Sequence, residues 1–345
     1  MSGRLTISTE ALARNYRRLS AATTGEVAGV IKANGYGVGI DVVVPVLTNE
    51  GCKTFFVATS VEGVRARKLS DHPIYVLAGA LNHEEVKRLV ESNLRPVINS
   101  EHQLALWDTR KPYALHVDTG MERLGFDFEA GVSALGKQAR PPEVILTHFA
   151  RADEASEDAI QMQLDKIERL RQFQIPMSVS NSAGILLHDL AEDVARAGIA
   201  LYGGSPSGAV EDCLHPVVKL EGAVLQIRKP EAGTPVGYGG SYITEPGDVL
   251  ATIGVGYADG VSRLLSNKGE VWSGERLDIV GRVSMDMLHV KCGDNELGPG
   301  DYIEIFGPNI NVEEVALKSQ TLSYEMLTGL DAARRLERVT TKSLL

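Results

Sequence analysis

Sulfur chemistry is scarce in this chain: 345 residues carry three cysteines, Cys52, Cys213 and Cys292. Their number is odd, they are scattered, and no C-x-x-C pair occurs, so they read as reduced thiols of a cytoplasmic protein. Met1–Glu10 lacks the apolar stretch of a signal peptide. No run of about 18 apolar residues exists, so no membrane partner is expected. Excess positive charge is missing as well. With 45 acidic against 35 basic residues, the formal net charge is −10. A nucleic-acid partner would need a clustered basic face. No H-E-x-x-H segment and no Cys/His ligand spacing appears, so no catalytic metal is expected. A G-x-S-x-G nucleophile turn is absent too.

What is present is enough chain for about two domains. Up to about residue 203, short apolar runs alternate with amphipathic stretches. The runs predict strands at Val27–Ala33, Phe55–Thr59, Ile74–Ala78, Arg95–Asn99, Tyr113–Asp118, Glu143–Phe149, Met177–Ser180 and Val194–Leu201. Between Ala159 and Phe173, the residues Ile160, Leu164, Ile167, Leu170 and Phe173 recur at helical spacing. Strand–helix repetition of this kind predicts an α/β fold, a closed (β/α)8 TIM-type barrel. The barrel is expected over residues 1–212, with a first strand at the N-terminus pairing with the C-terminal domain. Residues 213–345 change texture: short strands punctuated by Gly233, Pro235, Pro246, Gly247, Pro299 and Gly300 predict a β-rich C-terminal domain. A helix is expected over Tyr324–Leu330.

The first barrel strand ends in Val30-Ile31-Lys32-Ala33-Asn34-Gly35-Tyr36-Gly37-Val38-Gly39. A lysine at the C-terminal end of a barrel strand stands where barrel active sites are built. Burial disfavours its ammonium, which frees the amine to condense with an aldehyde. The plainer alternative is a strand-end lysine reaching solvent. Dinucleotide binding fits poorly, because the glycines are spaced G-x-G-x-G and no ribose-binding acid is evident.

This segment resembles the cofactor-lysine motif of alanine racemases, close to V-x-K-A-N-A-Y-G-H-G. The resemblance continues in order along nearly the whole chain. It runs through Asp118-Thr119-Gly120-Met121-Glu122-Arg123-Leu124-Gly125, Thr147-His148-Phe149-Ala150 and Asn181-Ser182-Ala183-Gly184. Arg196-Ala197-Gly198-Ile199, Gly256-Tyr257-Ala258-Asp259-Gly260, Gly281-Arg282-Val283-Ser284-Met285-Asp286 and Tyr324-Glu325 come next. Any one segment is weak; their shared order is not.

The resemblance implies a racemase dependent on pyridoxal 5′-phosphate that interconverts L- and D-alanine. Lys32 would carry the cofactor and serve as one base, taking the proton from the D isomer. Tyr257 would serve the opposite face and the L isomer. Ser182, the N–H groups of Gly198 and Ile199, and the hydroxyls of Tyr36 and Tyr324 would hold the phosphate. Loops after the last barrel strands suit that task independently. Arg196 would face the pyridine nitrogen; its alternative is an ion pair with Glu192 or Asp193. His148, alternatively a satisfied core histidine, would link Arg196 to Tyr257. A tyrosine hydroxyl, with an ordinary pKa of about 10, needs such help. Arg123 would fork onto the substrate carboxylate, aided by the N–H of Met285. In the family the second domain meets the barrel of a partner chain, so a homodimer with shared active sites is implied.

One departure from the family bears on this chemistry. Where many members carry a carbamylated lysine that supports the substrate arginine, this chain has His116. A neutral imidazole there can accept from Arg123, whereas a charged one repels it. Weaker orientation of Arg123, or an anion filling the gap, is the expectation. Val38 and Ser284 replace a common histidine and cysteine without consequence for this chemistry. A racemase of broader substrate range and a non-catalytic cofactor-binding protein stand as alternatives. A related decarboxylase is disfavoured by the Tyr257 motif.

Overall fold

The computed structural model describes residues 2–138, 140–154, 156, 158–188, 190, 192–208, 214–331 and 335–344. Cys213 and the expected boundary at 212/213 lie outside the described residues. The chain divides into two compact units. One comprises Ala13–Gly35 and Gly39–Leu201; the other comprises Met1–Leu12, Tyr36–Val38 and Tyr202–Leu345.

Strands are numbered along the chain from β1 (Gly3–Ser8). The first unit contains β2 (Glu26–Val30), β3 (Phe55–Val57), β4 (Ile74–Val76), β5 (Arg95–Ile98), β6 (Ala114–His116), β7 (Val144–Leu146), β8 (Met177–Ser178) and β9 (Val194–Ala197). They form one 8-stranded sheet in the order β8-β7-β6-β5-β4-β3-β2-β9, each pair parallel. Backbone bonds from Asp193 N–H to the Met177 carbonyl (3.2 Å) and from Arg196 N–H to the Ser180 carbonyl (2.9 Å) close the ring between β8 and β9. β3, β4, β6 and β7 are buried throughout, which is why they read as unbroken apolar runs rather than alternating ones. The helix over Asp158–Leu170 buries Ile160, Ile167 and Leu170 as its spacing predicts. Gln163 shares that face, 5% exposed.

All eight predicted barrel strands run past the ends of the observed ones. β2 stops at Val30, and β9 stops at Ala197, where the chain turns into a 3-10 helix over Ile199–Tyr202. Ile199, Ala200, Leu201 and Tyr202 are all buried. A buried run looks the same by periodicity whether it is extended or helical.

The second unit adds β10 (Val218–Arg228), β11 (Pro235–Val236), β12 (Tyr242–Ile243), β13 (Leu250–Ile253), β14 (Glu270–Trp272), β15 (Arg276–Val280), β16 (Leu288–Lys291), β17 (Tyr302–Phe306) and β18 (Glu337–Thr341). The order β13-β16-β15-β14-β17-β10 is closed by pairing of β13 with β10, so these strands form their own ring without a free edge. β1 pairs antiparallel with β10 and parallel with β18. β11, β12, β14, β18 and a helix over Val312–Lys318 are absent from the sequence reading. The expected helix near the end spans Ser323–Gly329.

Candidate active site

Lys32 lies two residues past the end of β2, and the chain then enters left-handed backbone for four residues. φ is 51° at Ala33, 54° at Asn34, 64° at Gly35 and 51° at Tyr36. Glycine takes this conformation freely; each of the other residues costs about 1 kcal/mol or more. Hydrogen bonds hold the turn in place. Ala33 N–H donates to Glu62 Oε1 (2.7 Å) and Gly35 N–H to the Ile31 carbonyl (2.9 Å). Asn34 Oδ1 accepts from Ile40 N–H and from Arg65, each at 3.2 Å. Glu62 Oε2 accepts from Ala58 and Thr59 N–H at 2.8 and 3.0 Å, one half of a capping box on the next helix. One carboxylate therefore ties the end of β2 to the end of β3. Burial lowers the Lys32 amine pKa, Arg123 and Arg196 lower it further, and Glu62 opposes them.

Arg196 leaves β9 into the barrel interior, 4% exposed. Its NH1 donates to the carbonyl and hydroxyl of Ser178, both at 2.8 Å. Its NH2 donates to the Thr147 carbonyl (2.7 Å) and to His148 Nδ1 (3.0 Å). Burial pushes its pKa down to about 10, so it stays charged near neutral pH. The alternative ion pairs do not form: Glu192 accepts from the N–H groups of Val179 and Ser180, and Asp193 from that of Met177. No described residue accepts from Arg196 Nε. Because Arg196 is donor only, His148 Nδ1 must accept and its Nε2 must carry the proton. Burial, then Arg196, holds the His148 pKa well below its ordinary value, so the ring is neutral.

His116 ends β6, 8% exposed, with Nδ1 2.9 Å from Asn99 Oδ1. The Asn99 amide is fixed by its own donors, which reach the Leu77 carbonyl (3.0 Å), the Val97 carbonyl (2.8 Å) and Gln103 Oε1 (3.2 Å). Its oxygen therefore faces His116, Nδ1 carries the proton, and Nε2 is left as an acceptor. Burial and Arg196 push the His116 pKa down to about 4. Gly125 makes room for the ring: a Cβ there would lie 3.1 Å from two imidazole carbons, on a backbone with φ 112°.

Arg123 stands on the loop after β6. Asp118 Oδ1 shapes that loop by accepting from Gly120 and Met121 N–H, each at 2.8 Å. Burial alone would raise the Asp118 pKa, but these donors and Glu122 N–H hold it low. The Arg123 side chain is exposed and donates to no described residue. Ser182, 3% exposed, accepts through Oγ from Gly198 N–H (2.9 Å) and Ala200 N–H (3.3 Å). Its own hydrogen has no acceptor among the described residues.

In the second unit, the Tyr36 ring is buried and stacks on Tyr202 with centroids 4.7 Å apart and planes at 22°. Tyr324 tilts against it at 6.2 Å. Gly37 follows at φ 81°, where a Cβ would meet the Leu327 carbonyl oxygen at 2.1 Å. Tyr257 opens a short 3-10 turn, 45% exposed, and Met285 is 51% exposed on the facing loop. Tyr257 N–H donates to the Ser284 carbonyl and Ala258 N–H to the Met285 carbonyl, both at 3.0 Å.

The sequence reading missed Glu62, Asn99 and Gln103. Thr59-Ser60-Val61-Glu62 is a capping-box pattern, so Glu62 had a local signal. Asn99 meets His116 from the end of β5, and Gln103 braces Asn99 from the helix over Glu101–Leu106; neither had such a signal. His188 and His289 bond the Ala152 carbonyl (3.0 Å) and Thr252 Oγ1 (3.3 Å). Among the described residues no helix is long and apolar enough to cross a membrane, and no His/Cys/Asp/Glu group could hold a metal ion.

The barrel mouth thus gathers Lys32, Arg123 and Arg196 with two neutral histidines, against the carboxylates of Glu62 and Asp118. This charge balance suits an anionic ligand. A buried guanidinium nitrogen without an acceptor fits a pyridine nitrogen. A buried hydroxyl hydrogen at a helix start fits a phosphate oxygen, and a lysine of lowered pKa fits an aldehyde. Pyridoxal phosphate has all three groups.

Comparison with known proteins agrees. The model of the alanine racemase N-terminal domain matches residues 7–206, and that of the C-terminal domain matches residues 217–340. The biosynthetic alanine racemase of Agrobacterium fabrum is 38% identical over 357 residues, covering 95% of this chain and 91% of that protein. The alanine racemase of Acidiphilium cryptum is 37% identical, covering 94% and 96%. A crystal structure of alanine racemase from Bartonella henselae with covalently bound pyridoxal phosphate superposes with a TM-score of 0.91 at 36% identity, covering 99% of this chain and 100% of that one. With both domains matched along nearly the whole chain, this chain belongs to the alanine racemase family.

Proposed function

We propose that this chain interconverts L- and D-alanine by a two-base mechanism, with Lys32 and Tyr257 acting on opposite faces of the substrate. The racemase activity and its dependence on pyridoxal phosphate follow from family membership. The observation that carries the reading is the barrel mouth, where an amine of lowered pKa stands among Arg123, His148 and Arg196. When bound, pyridoxal phosphate supplies the electron sink that acidifies the substrate Cα–H.

The chain's own residues do the rest. Lys32, Tyr36, His148, Ser182, Arg196, Gly198, Ile199 and Tyr324 hold the cofactor. Arg196, charged throughout the working range, would disfavour protonation of a pyridine nitrogen held beside it, which would limit competing reactions. Arg123 binds the substrate carboxylate, with the Met285 N–H beside it. The Lys32 amine takes the α-proton of the D isomer at Nζ, and the Tyr257 hydroxyl oxygen that of the L isomer. The His148–Arg196 pair favours the tyrosinate. Half-exposed Tyr257 and Met285 fit a homodimer in which the second domain of one copy, residues 213–345, completes the barrel of the other, residues 1–212. Buried free thiols at Cys52 and Cys292 agree with a cytoplasmic setting.

The test is Cα deuterium wash-in with each isomer of alanine, extended to a substrate panel read by chiral chromatography. Exchange with both alanine isomers is expected; none with either would sink the reading. Lys32→Ala should abolish the visible absorbance of bound cofactor. Tyr257→Phe should slow exchange from L-alanine far more than from D-alanine, and equal slowing would break the two-base assignment.

A further inference from the structure

The Tyr257 turn and the Met285 loop share a clamp that the proposed chemistry does not use. Gly256 packs so tightly that a Cβ would lie 2.3 Å from the Ser284 carbonyl oxygen and 2.4 Å from that of Met285. Asp259, 3% exposed, closes the turn by accepting from Gly256 N–H at 3.0 Å through Oδ2. That carboxylate is itself forked by Arg335, with Nε 3.2 Å from Oδ1 and NH2 2.8 Å from Oδ2. The third nitrogen, NH1, bonds Asp286 Oδ1, next to Met285. One planar guanidinium thus spans the loop that carries Tyr257 and the loop that carries Met285.

We infer that Arg335 is a positioning residue, fixing the Tyr257 hydroxyl and the Met285 N–H relative to each other; its catalytic consequence rests on the two-base reading above. Two contacts point to this role. The buried Asp259 carboxylate accepts both the turn's own N–H and the arginine fork, so loss of Arg335 removes its one cationic partner among the described residues and loosens the turn it closes. Asp286 takes the remaining nitrogen, so the same loss unties the second loop. Lysine offers a single point charge and cannot bridge both carboxylates in one plane. Ångström-scale misplacement of a reacting group costs on the order of a hundredfold in rate.

The experiment has two readouts. In the cofactor-free chain, amide hydrogen exchange at Gly256, Tyr257 and Ala258 should accelerate on the order of tenfold or more in Arg335→Met. Arg335→Lys should give partial protection. In the loaded enzyme, Arg335→Met should slow Cα exchange from L-alanine on the order of ten- to a hundredfold and raise KM, with a much smaller effect on the D isomer. Asp286→Asn, which leaves the Asp259 pair intact, should shift both readouts the same way by less, and it decides the matter if Arg335→Met does not fold. Unchanged amide protection, or equal slowing of both isomers while Tyr257→Phe remains selective for L, would overturn the assignment. If Tyr257→Phe is itself unselective, the two-base reading falls, and the amide protection still decides whether Arg335 holds the turn.

Discussion

His116 makes the stability of this chain depend on acid in a way that can be worked out in advance. The perturbation is His116→Gln, compared with the parent at pH 7.5 and pH 4.5. In the folded chain burial and Arg196 hold the imidazole pKa at about 4, against an ordinary 6.5. The unfolded chain therefore binds the proton more readily, and stability is lost as pH falls from 6.5 towards 4. At pH 7.5 both states are neutral there and the contribution is complete. At pH 4.5 the linkage amounts to about 2.5 kcal/mol of lost stability from this one side chain. His148, also held well below its ordinary pKa, adds a loss of the same sign that the variant retains. Urea unfolding of the cofactor-free chain reads the difference. Stability relative to His116→Gln should fall by about 2.5 kcal/mol between the two pH values. Imidazole carbon NMR of the folded parent should show His116 neutral to below pH 5. Parallel acid loss in parent and variant, within about 0.5 kcal/mol, would refute the tautomer and burial argument. With it would go the claim that His116 offers Arg123 a lone pair rather than a second cation.

Two further outcomes test the turn after β2. Gly37→Ala adds a Cβ 2.1 Å from the Leu327 carbonyl oxygen at φ 81°, so it should cost about 3 kcal/mol or more in the cofactor-free chain. A shift in urea midpoint worth less than about 0.5 kcal/mol would contradict the contact. Glu62→Gln removes the carboxylate that raises the Lys32 pKa and one acceptor of the Ala33, Ala58 and Thr59 N–H groups. The pH midpoint for amine labelling of Lys32 should fall, and an unchanged or higher midpoint would show that Glu62 does not act on that amine.

Local signals carried most of the fold. Apolar runs placed all of β2 to β9 in order, because a strand buried on both faces leaves a continuous hydrophobic segment between polar helix surfaces. The ends of β2 and β9 were misread because Ile31 and Ile199–Tyr202 stay apolar where the chain stops being extended. β11, β12 and β14 were missed because they are short and only partly buried, and β18 because it is largely exposed along its length. A strand of that kind is held by its partner's backbone rather than by its own side chains.

The sequence alone marked out the residues proposed for the chemistry: Lys32, Arg123, His148, Ser182, Arg196 and Tyr257 all sit in segments whose order is shared with a family. It could not determine what those residues lean on. Asn99 meets His116, Arg335 meets Asp259 and Asp286, and Glu62 reaches Ala33 across gaps of 17, 76, 49 and 29 residues. No periodicity links such positions. Only folding brings each buried charge or lone pair to its partner, and the low dielectric around them then decides which proton stays and which leaves.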